Sequence, residues 1–333
     1  MQIKPFPEVE NITAISIRVP DVSNLITVNL YAVGSGPVTL IDTALKSPGS
    51  LEYVQSELIK AGLHIDDVER IIITHGHMDH FGLAAGIREV VKHPIECLIH
   101  DEDRWQISSE NFLKEMWSEE ANTLMAMAGM PPQEMEKVRK RFSGFKELGD
   151  PLDNVSILEN GDEVVGDGYH LKVIHTPGHT PGSCCFYESR QRVLFSGDTI
   201  IKHITPNPLV AIKRNRLRDT GYQSLKAYSK SLDKLAELDI QYVFPGHGEY
   251  IRDLARVISM YKSHHRERMK LIWNALNKQA RPLYDIIEDV FLQVPEGDVF
   301  LAISEILVHL EILIDEGRAE LLDPGPPAIY HSL

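Results

Sequence analysis

Cysteine is scarce in this chain. Its 333 residues include only Cys97, Cys184 and Cys185, and there is no C-x-x-C pair. So few cysteines exclude a disulfide framework and a cysteine-ligated zinc or redox site. Each of the three lies in an apolar run typical of a strand, so we predict buried structural thiols.

Long apolar runs and an excess of positive charge are also missing. No stretch reaches about 18 consecutive apolar residues, and the N-terminus lacks the basic and apolar regions of a signal peptide. The formal net charge of −14 argues against nucleic acid or an anionic membrane as a partner. These absences predict a cytoplasmic protein without a membrane partner.

Strand and helix patterns alternate through about residue 260. Short β-branched runs predict strands, and apolar residues at helical spacing predict helices between them. The stretch 101–147 differs, because it is helix-forming and rich in Met and Trp, and it reads as a helical insertion. We therefore expect an α/β catalytic domain over residues 1–262 that contains this insertion, followed by a small domain over 263–333.

Four loops that follow predicted strands carry residues of metal-ligand type. "THGHMDHFG" crowds three histidines and an aspartate into the turn after the apolar run "IIIT". "HTPGHTPG", "SGDT" and "PGHG" follow later strands, and their glycines and prolines let the backbone turn so that side chains can converge. The candidate ligands are His75, His77, Asp79, His80, His179, Asp198 and His247. Imidazoles and carboxylates in this number suit two divalent ions, Zn²⁺ first, with Fe or Mn as alternatives.

The same four motifs resemble those of the metallo-β-lactamase superfamily, over about residues 10–260. The resemblance implies an αββα sandwich, in which two mixed sheets lie face to face with helices outside and metals at one edge. It also implies how the ligands divide: His75, His77 and His179 on a first ion, Asp79, His80 and His247 on a second, and Asp198 bridging both.

Two cations that share a water lower its pKa from about 15.7 towards about 7. The predicted nucleophile is therefore a metal-bridging hydroxide, which Asp79 can orient while it ligates. His203, close after Asp198 in the chain, is a candidate hydrogen-bond donor to the leaving group. No covalent nucleophile is needed, which agrees with the absence of a G-x-S-x-G motif.

The substrate class rests on a finer resemblance. "HTPGHTPGSCCFY" followed by "LFSGD" is similar to the glyoxalase II and thioesterase-like branches, which implies an acyl thioester or related ester. After Asp198 the run "TIIKHITPNPLV" departs from glyoxalase II, so glutathione specificity is not predicted. Acyl-homoserine lactonases carry a tyrosine where this chain has Ile201, which makes a lactonase a weaker alternative.

The tail adds a second alternative. Two helical patterns and two short strands within 263–333 predict a winged-helix-like module, and this arrangement resembles a lactamase-like branch that contains an endoribonuclease as well as thioesterases. The helix predicted over 298–317 has no Lys or Arg, which argues against RNA and favours a structural or homodimer-forming role. A metal-dependent endoribonuclease remains the alternative. A non-catalytic metal-binding sensor is a further one, which seven intact ligands disfavour.

Flexible and aromatic side chains of the insertion suit an apolar acyl group, although they can equally pack its own helices. The candidate pocket residues are Trp105, Met116, Trp117, Ile201 and Lys213. Lys213 begins the basic run "KRNRLR", which is either a solvated loop or a site for phosphates of coenzyme A, a phosphopantetheine arm or RNA. A second basic run, "KSHHRERMK", is predicted to be the exposed face of a long helix.

Overall fold

The computed structural model describes residues 5–18, 27–112, 114, 118–211, 222–295 and 297–333. The chain divides into two compact units. Unit 1 consists of Met1–Phe112, Lys146–Pro206 and Ser231–Val257, and unit 2 consists of Leu113–Phe145, Asn207–Lys230 and Ile258–Leu333. Most of the predicted insertion thus groups with the C-terminal segment, and the boundary predicted at residue 262 stays a prediction.

Unit 1 contains two mixed sheets. The first has the spatial order β1-β2-β3-β4-β5-β6, and its strands are β1 Ile12–Arg18, β2 Thr27–Val33, β3 Val38–Ile41, β4 Val68–Ile72, β5 Glu96–His100 and β6 Ser156–Leu158. The second has the order β11-β10-β9-β8-β7, with β7 Glu163–Gly166, β8 Tyr169–His175, β9 Cys184–Glu188, β10 Val193–Gly197 and β11 Tyr242–Pro245. The sequence did not predict β7, since four residues beside glycines carry little alternation.

The helices are α1 Ser50–Lys60, α2 Met78–Phe81, α3 Ala84–Val90, α4 Asp101–Ile107, α5 Glu119–Met127, α6 Pro132–Ser143, α7 Ser224–Ala236, α8 Leu254–Lys278, α9 Ile287–Val290 and α10 Val299–Asp315. Among the described residues, none of these helices combines the length and apolar character that a bilayer crossing requires.

The strand β2 shows why unit 1 is layered. Successive side chains of a strand point to opposite faces of its sheet. Leu30 packs in a cluster with residues of α1 and α3, whereas Tyr31 packs in a cluster with Phe186 and Phe195 of the second sheet. Because both faces are covered, all of β2 is buried. The predicted αββα sandwich is confirmed, and so are the buried cysteines.

Unit 2 has its own core, built on α10. Ile303, Ile306, Leu310 and Leu313 recur at helical spacing and are all buried, whereas Ile314 is 39% exposed. The helix is followed by an antiparallel pair of strands, β12 Ala319–Asp323 and β13 Ile329–Ser332. The helices and the small C-terminal sheet are therefore present, while the assignment to the winged-helix class remains a prediction.

The run "KSHHRERMK" on α8 is not simply an exposed face. His265 is buried, and its Nδ1 lies 3.0 Å from Nε2 of His309 on α10. Arg268 Nε lies 2.7 Å from Oε1 of Glu305, and its guanidinium lies 4.3 Å from the centre of the Phe291 ring. The prediction was wrong for His265 and Arg268, because their polar atoms find partners inside unit 2.

This buried histidine pair predicts acid sensitivity. Burial and the adjacent imidazole lower the pKa of His265 to about 3, and burial lowers that of His309 to about 4. Unfolded histidine titrates near 6.5, so the stabilisation by the neutral pair is complete above that pH and is lost as the pH falls towards the folded-state values. Acidification from about pH 7.5 to about pH 5 should cost roughly 2 kcal/mol for each such histidine.

Urea unfolding of the wild type and of His265→Gln at both pH values tests this expectation. The variant should lose less stability on acidification than the wild type, because one titrating group is gone. His64→Gln, at a side chain that is 60% exposed, is the control and should behave as the wild type does. An equal loss in the wild type and His265→Gln would show that the pair does not set the acid response.

Candidate metal centre

The structure brings all seven predicted ligands together in unit 1. Each loop leaves the end of a strand: β4 precedes the loop with His75 and His77, and β8, β10 and β11 precede those with His179, Asp198 and His247. Ligand atoms within 4.8 Å of one another form three overlapping groups, which are His75/His77/His179, His75/His80/Asp198 and Asp79/His80/His247.

The first group consists of imidazoles alone. His77 Nδ1 lies 3.0 Å from His75 Nε2 and 3.0 Å from His179 Nε2. Nitrogen atoms this close can share a proton or can ligate one cation together. Three imidazoles are a donor set that suits a divalent transition metal.

The group Asp79/His80/His247, called the second group from here on, adds a carboxylate. His247 Nε2 lies 3.3 Å from Asp79 Oδ2, and His80 Nε2 lies 3.8 Å from Asp79 Oδ1. Asp198 lies between the groups, with Oδ2 3.2 Å from His247 Nε2 and 3.7 Å from His179 Nε2, and with Oδ1 3.4 Å from His80 Nε2. One carboxylate therefore reaches ligand atoms of both groups, as a bridging ligand must.

Unpartnered buried atoms show that these residues fit a cation. Among the described residues, His80 Nε2, His247 Nε2 and Asp198 Oδ1 are buried and have no hydrogen-bond partner. Each such atom costs about 1–3 kcal/mol when it stays unsatisfied. Three of them within one cluster of imidazoles and carboxylates are the arrangement that a divalent metal ion would satisfy.

The other ring nitrogens are held by the protein. His80 Nδ1 lies 2.8 Å from Asp42 Oδ2, and His247 Nδ1 donates to the Thr27 carbonyl at 2.7 Å. His75 Nδ1 lies 3.1 Å from Thr74 Oγ1, and that hydroxyl donates to Asp42 in turn. Protons on Nδ1 leave the Nε2 lone pairs of these three histidines free for a metal.

Sequence reasoning missed two aspartates that support the ligands. Asp42 follows β3 and accepts from Thr74 N and Thr74 Oγ1, each at 2.8 Å, as well as from His80. An aspartate directly after a buried strand in "LIDTA" was a usable signal. Asp103, which is fully buried on α4, accepts from backbone and side-chain donors of two ligand loops. Because its neighbours in sequence favour a helix, Asp103 was predicted to lie in the insertion. Nothing in the local sequence marks it as a residue of the site.

The histidines of the two groups differ in the direction of their pKa shifts. Burial lowers the pKa of His77, and nearby His179 adds to this, giving a value of about 3. Burial acts in the same direction on His247, but the Asp198 and Asp79 carboxylates outweigh it and raise the pKa to about 10. They also hold the pKa of His80 well above its usual range. A metal ion must displace these protons, so its affinity should increase with pH.

The residues predicted for catalysis and for a substrate pocket include one of these ligands, Asp79. Asp79 has a side chain that is 21% exposed, and exposed His203 packs against Gly248, where an added Cβ would lie 2.7 Å from its ring. Trp105 is half-buried and donates to the Glu102 carbonyl, and Ile201 is only 1% exposed. Met116, Trp117, Lys213 and the rest of the "KRNRLR" run lie outside the described residues.

A family model described as the metallo-beta-lactamase superfamily matches residues 24–247. The chain belongs to this superfamily. Together with the His/Asp groups, membership identifies a metallo-hydrolase.

Similar proteins include the probable metallo-hydrolase YqjP of Bacillus subtilis, which is 25% identical over 90% of this chain and 91% of its own length. A beta-lactamase-like protein 2 homolog of Caenorhabditis elegans is also 25% identical, over 88% of this chain and 80% of its own. Among solved structures, a metallo-beta-lactamase family protein of Thermus thermophilus is 28% identical, with a TM-score of 0.80 over 98% of this chain and 99% of that one.

Proposed function

We propose that this metallo-hydrolase holds two divalent cations, preferentially Zn²⁺, and hydrolyses small-molecule acyl thioesters or related esters. The observation that carries the proposal is that the oxygens of Asp198 lie 3.2–3.7 Å from Nε2 of His80, His179 and His247, in a cluster whose buried ligand atoms include three that make no hydrogen bond to any described residue. The ligands would divide as follows: His75, His77 and His179 on one cation, Asp79, His80 and His247 on the other, and Asp198 on both.

When bound, the cations would supply a water of lowered pKa and would polarise the acyl carbonyl oxygen. The protein's residues orient the reactants. Burial opposes ionisation of Asp79, but His80 and His247 hold the pKa of its carboxyl below the usual range. The ionised carboxylate can therefore accept a hydrogen bond from the attacking water and direct its lone pair towards the carbonyl carbon.

The leaving group needs less help. A thiolate departs readily, and we assign His203 the role of hydrogen-bond donor to the leaving sulfur because its exposed ring lies beside the His247 loop. A covalent thiol nucleophile is disfavoured, since all three cysteines are buried. Direct attack by water is then the simplest route to the acid and the thiol.

The C-terminal helix favours a thioester over RNA. The charged residues of α10 are acidic, and one of them, Glu305, pairs with Arg268 inside unit 2. A nucleic-acid-reading helix needs an exposed basic face instead. We propose a winged-helix-like module with a structural or dimer-forming role for this segment.

Release of free thiol from acyl-coenzyme A and lactoylglutathione panels tests the proposed reaction. Zn²⁺-, Mn²⁺- or Fe²⁺-loaded protein should release thiol more than about 100-fold faster than chelator-treated protein, because the metal contributes several kcal/mol to charge stabilisation. Adding the metal back should restore the rate.

A single-stranded RNA substrate is assayed in parallel. RNA cleavage without thiol release would replace the thioesterase assignment with the endoribonuclease one. Two bound metals with neither reaction would favour a binding protein.

A further inference from the structure

One buried carboxylate joins the two loops that carry the first ligand group. Asp103 Oδ2 accepts from Gly76 N at 2.8 Å and from Thr180 Oγ1 at 2.6 Å, while Oδ1 accepts from Gly182 N at 2.8 Å. Gly76 stands between His75 and His77, and Thr180 directly follows His179. Asp103 therefore contacts the loops of all three imidazoles.

The packing around Asp103 leaves little freedom. A Cβ added at Gly182 would lie 2.6 Å from Asp103 Cγ, and one added at Gly76 would lie 3.3 Å from Asp103 Cβ. The backbones of both loops thus pack closely against the Asp103 side chain. Thr180 Oγ1 also lies 2.7 Å from Ser183 Oγ, which extends the hydrogen-bond network into the loop of His179.

Asp42 also accepts hydrogen bonds from residues of the centre. It contacts His80 Nδ1 directly and Thr74, whereas Asp103 contacts the backbone beside His75, His77 and His179. Asp42 therefore supports His80 directly and His75 through Thr74, whereas the contacts of Asp103 are with the loops of the first group. We infer that Asp103 is a positioning residue. It sets the geometry of the His75/His77/His179 group and thereby the metal affinity of that group, independently of the second group. This inference rests on the two-cation centre proposed above.

Asp103→Asn tests the inference with little change in size. An amide presents one oxygen and one NH₂ group, so at least one of the three donors at this position must face another donor. Outer contacts of this kind typically change metal affinity about 10–100-fold. Co²⁺ titration followed by visible absorption reports each binding step, and His77→Ala and His247→Ala assign a step to each group.

The expected result is a loss of about 10-fold or more in Co²⁺ affinity at the first group, with the second group changed less than about threefold. Asp42→Asn should weaken the second step directly and the first step through Thr74 and His75, so that only Asp103→Asn is selective for the first group. Asp153→Asn, at a half-buried aspartate that accepts from Ser109 N at 3.0 Å, is the matched control and should alter neither step.

Unchanged affinity at the first group, or an equal loss at both groups, would overturn the assignment. If Asp103→Asn does not fold, Thr180→Val removes one of the three hydrogen bonds and should shift the same step by a smaller factor, and no shift there would also overturn it. Because the readout is metal binding, a failure of thioester hydrolysis in the wild type would leave this result standing.

Discussion

Asp198→Ala should lower bound divalent metal from the proposed two equivalents to one or fewer and should reduce hydrolysis by more than about 100-fold. Mutating a residue that only hydrogen-bonds to a metal ligand typically costs about 10–100-fold in metal affinity or activity. Asp198 faces both groups directly, so its loss should cost more. Its oxygens lie 3.2–3.7 Å from the Nε2 atoms of His247, His80 and His179. Elemental analysis of the purified protein and the thiol-release rate measure the two effects.

Two further variants define what Asp198 contributes. Asp198→Asn keeps the side-chain shape but removes the charge, so it should resemble Asp198→Ala in metal content. Asp239→Ala removes an aspartate that pairs with Arg192 on the surface and is 76% exposed, and it should leave both measurements unchanged. Full metal content with full activity in Asp198→Ala would refute the bridging role.

Gly246→Ala should have the second largest effect. The added Cβ would lie 2.5 Å from Asp198 Oδ1 and 2.6 Å from His80 Cε1, so both ligands must shift. A displacement of about 1 Å can cost about 100-fold in rate, and we expect a loss of that order in hydrolysis together with weaker metal binding. Rates at saturating metal separate misplaced ligands from simple metal loss.

Gly86→Ala is the matched control for the added methyl group. Gly86 lies in α3, and a Cβ there would meet nothing within 4 Å. Because alanine favours a helix over glycine, this variant should be neutral or more stable by about 0.5–1 kcal/mol, with unchanged activity. Equal behaviour of the two variants would mean that the close approach at Gly246 does not constrain the ligands.

The sequence predicted much of unit 1, because its strands are short apolar runs and its ligands sit in loops with distinctive residues. β2 and β8 illustrate the first point, and "THGHMDHFG" and "PGHG" illustrate the second. The strand β7 was missed, and the inward contacts of α8 were predicted wrongly. In both cases the deciding interaction lies with a partner distant in the chain rather than with near neighbours.

Asp103 shows the same limit within the site. Its sequence neighbours form a short helix and carry no ligand, yet its hydrogen-bond partners lie 27, 77 and 79 residues away. Asp42 was missed as well, although it follows a buried strand as Asp198 does and so carried a usable signal. A supporting role depends on where the donors converge, and that cannot be read from residue type or spacing.

The amino-acid sequence by itself determined which side chains can ligate a metal, their order along the chain, and the alternation that buries both faces of a strand. Only the tertiary structure decided that ligand atoms from four loops form three overlapping groups, each with its atoms within 4.8 Å of one another. It also decided that Asp103 joins two of those loops and that His265 faces His309. The physical reason is that local patterns reflect the energies of neighbouring residues, whereas a metal centre depends on the packing of segments more than a hundred residues apart.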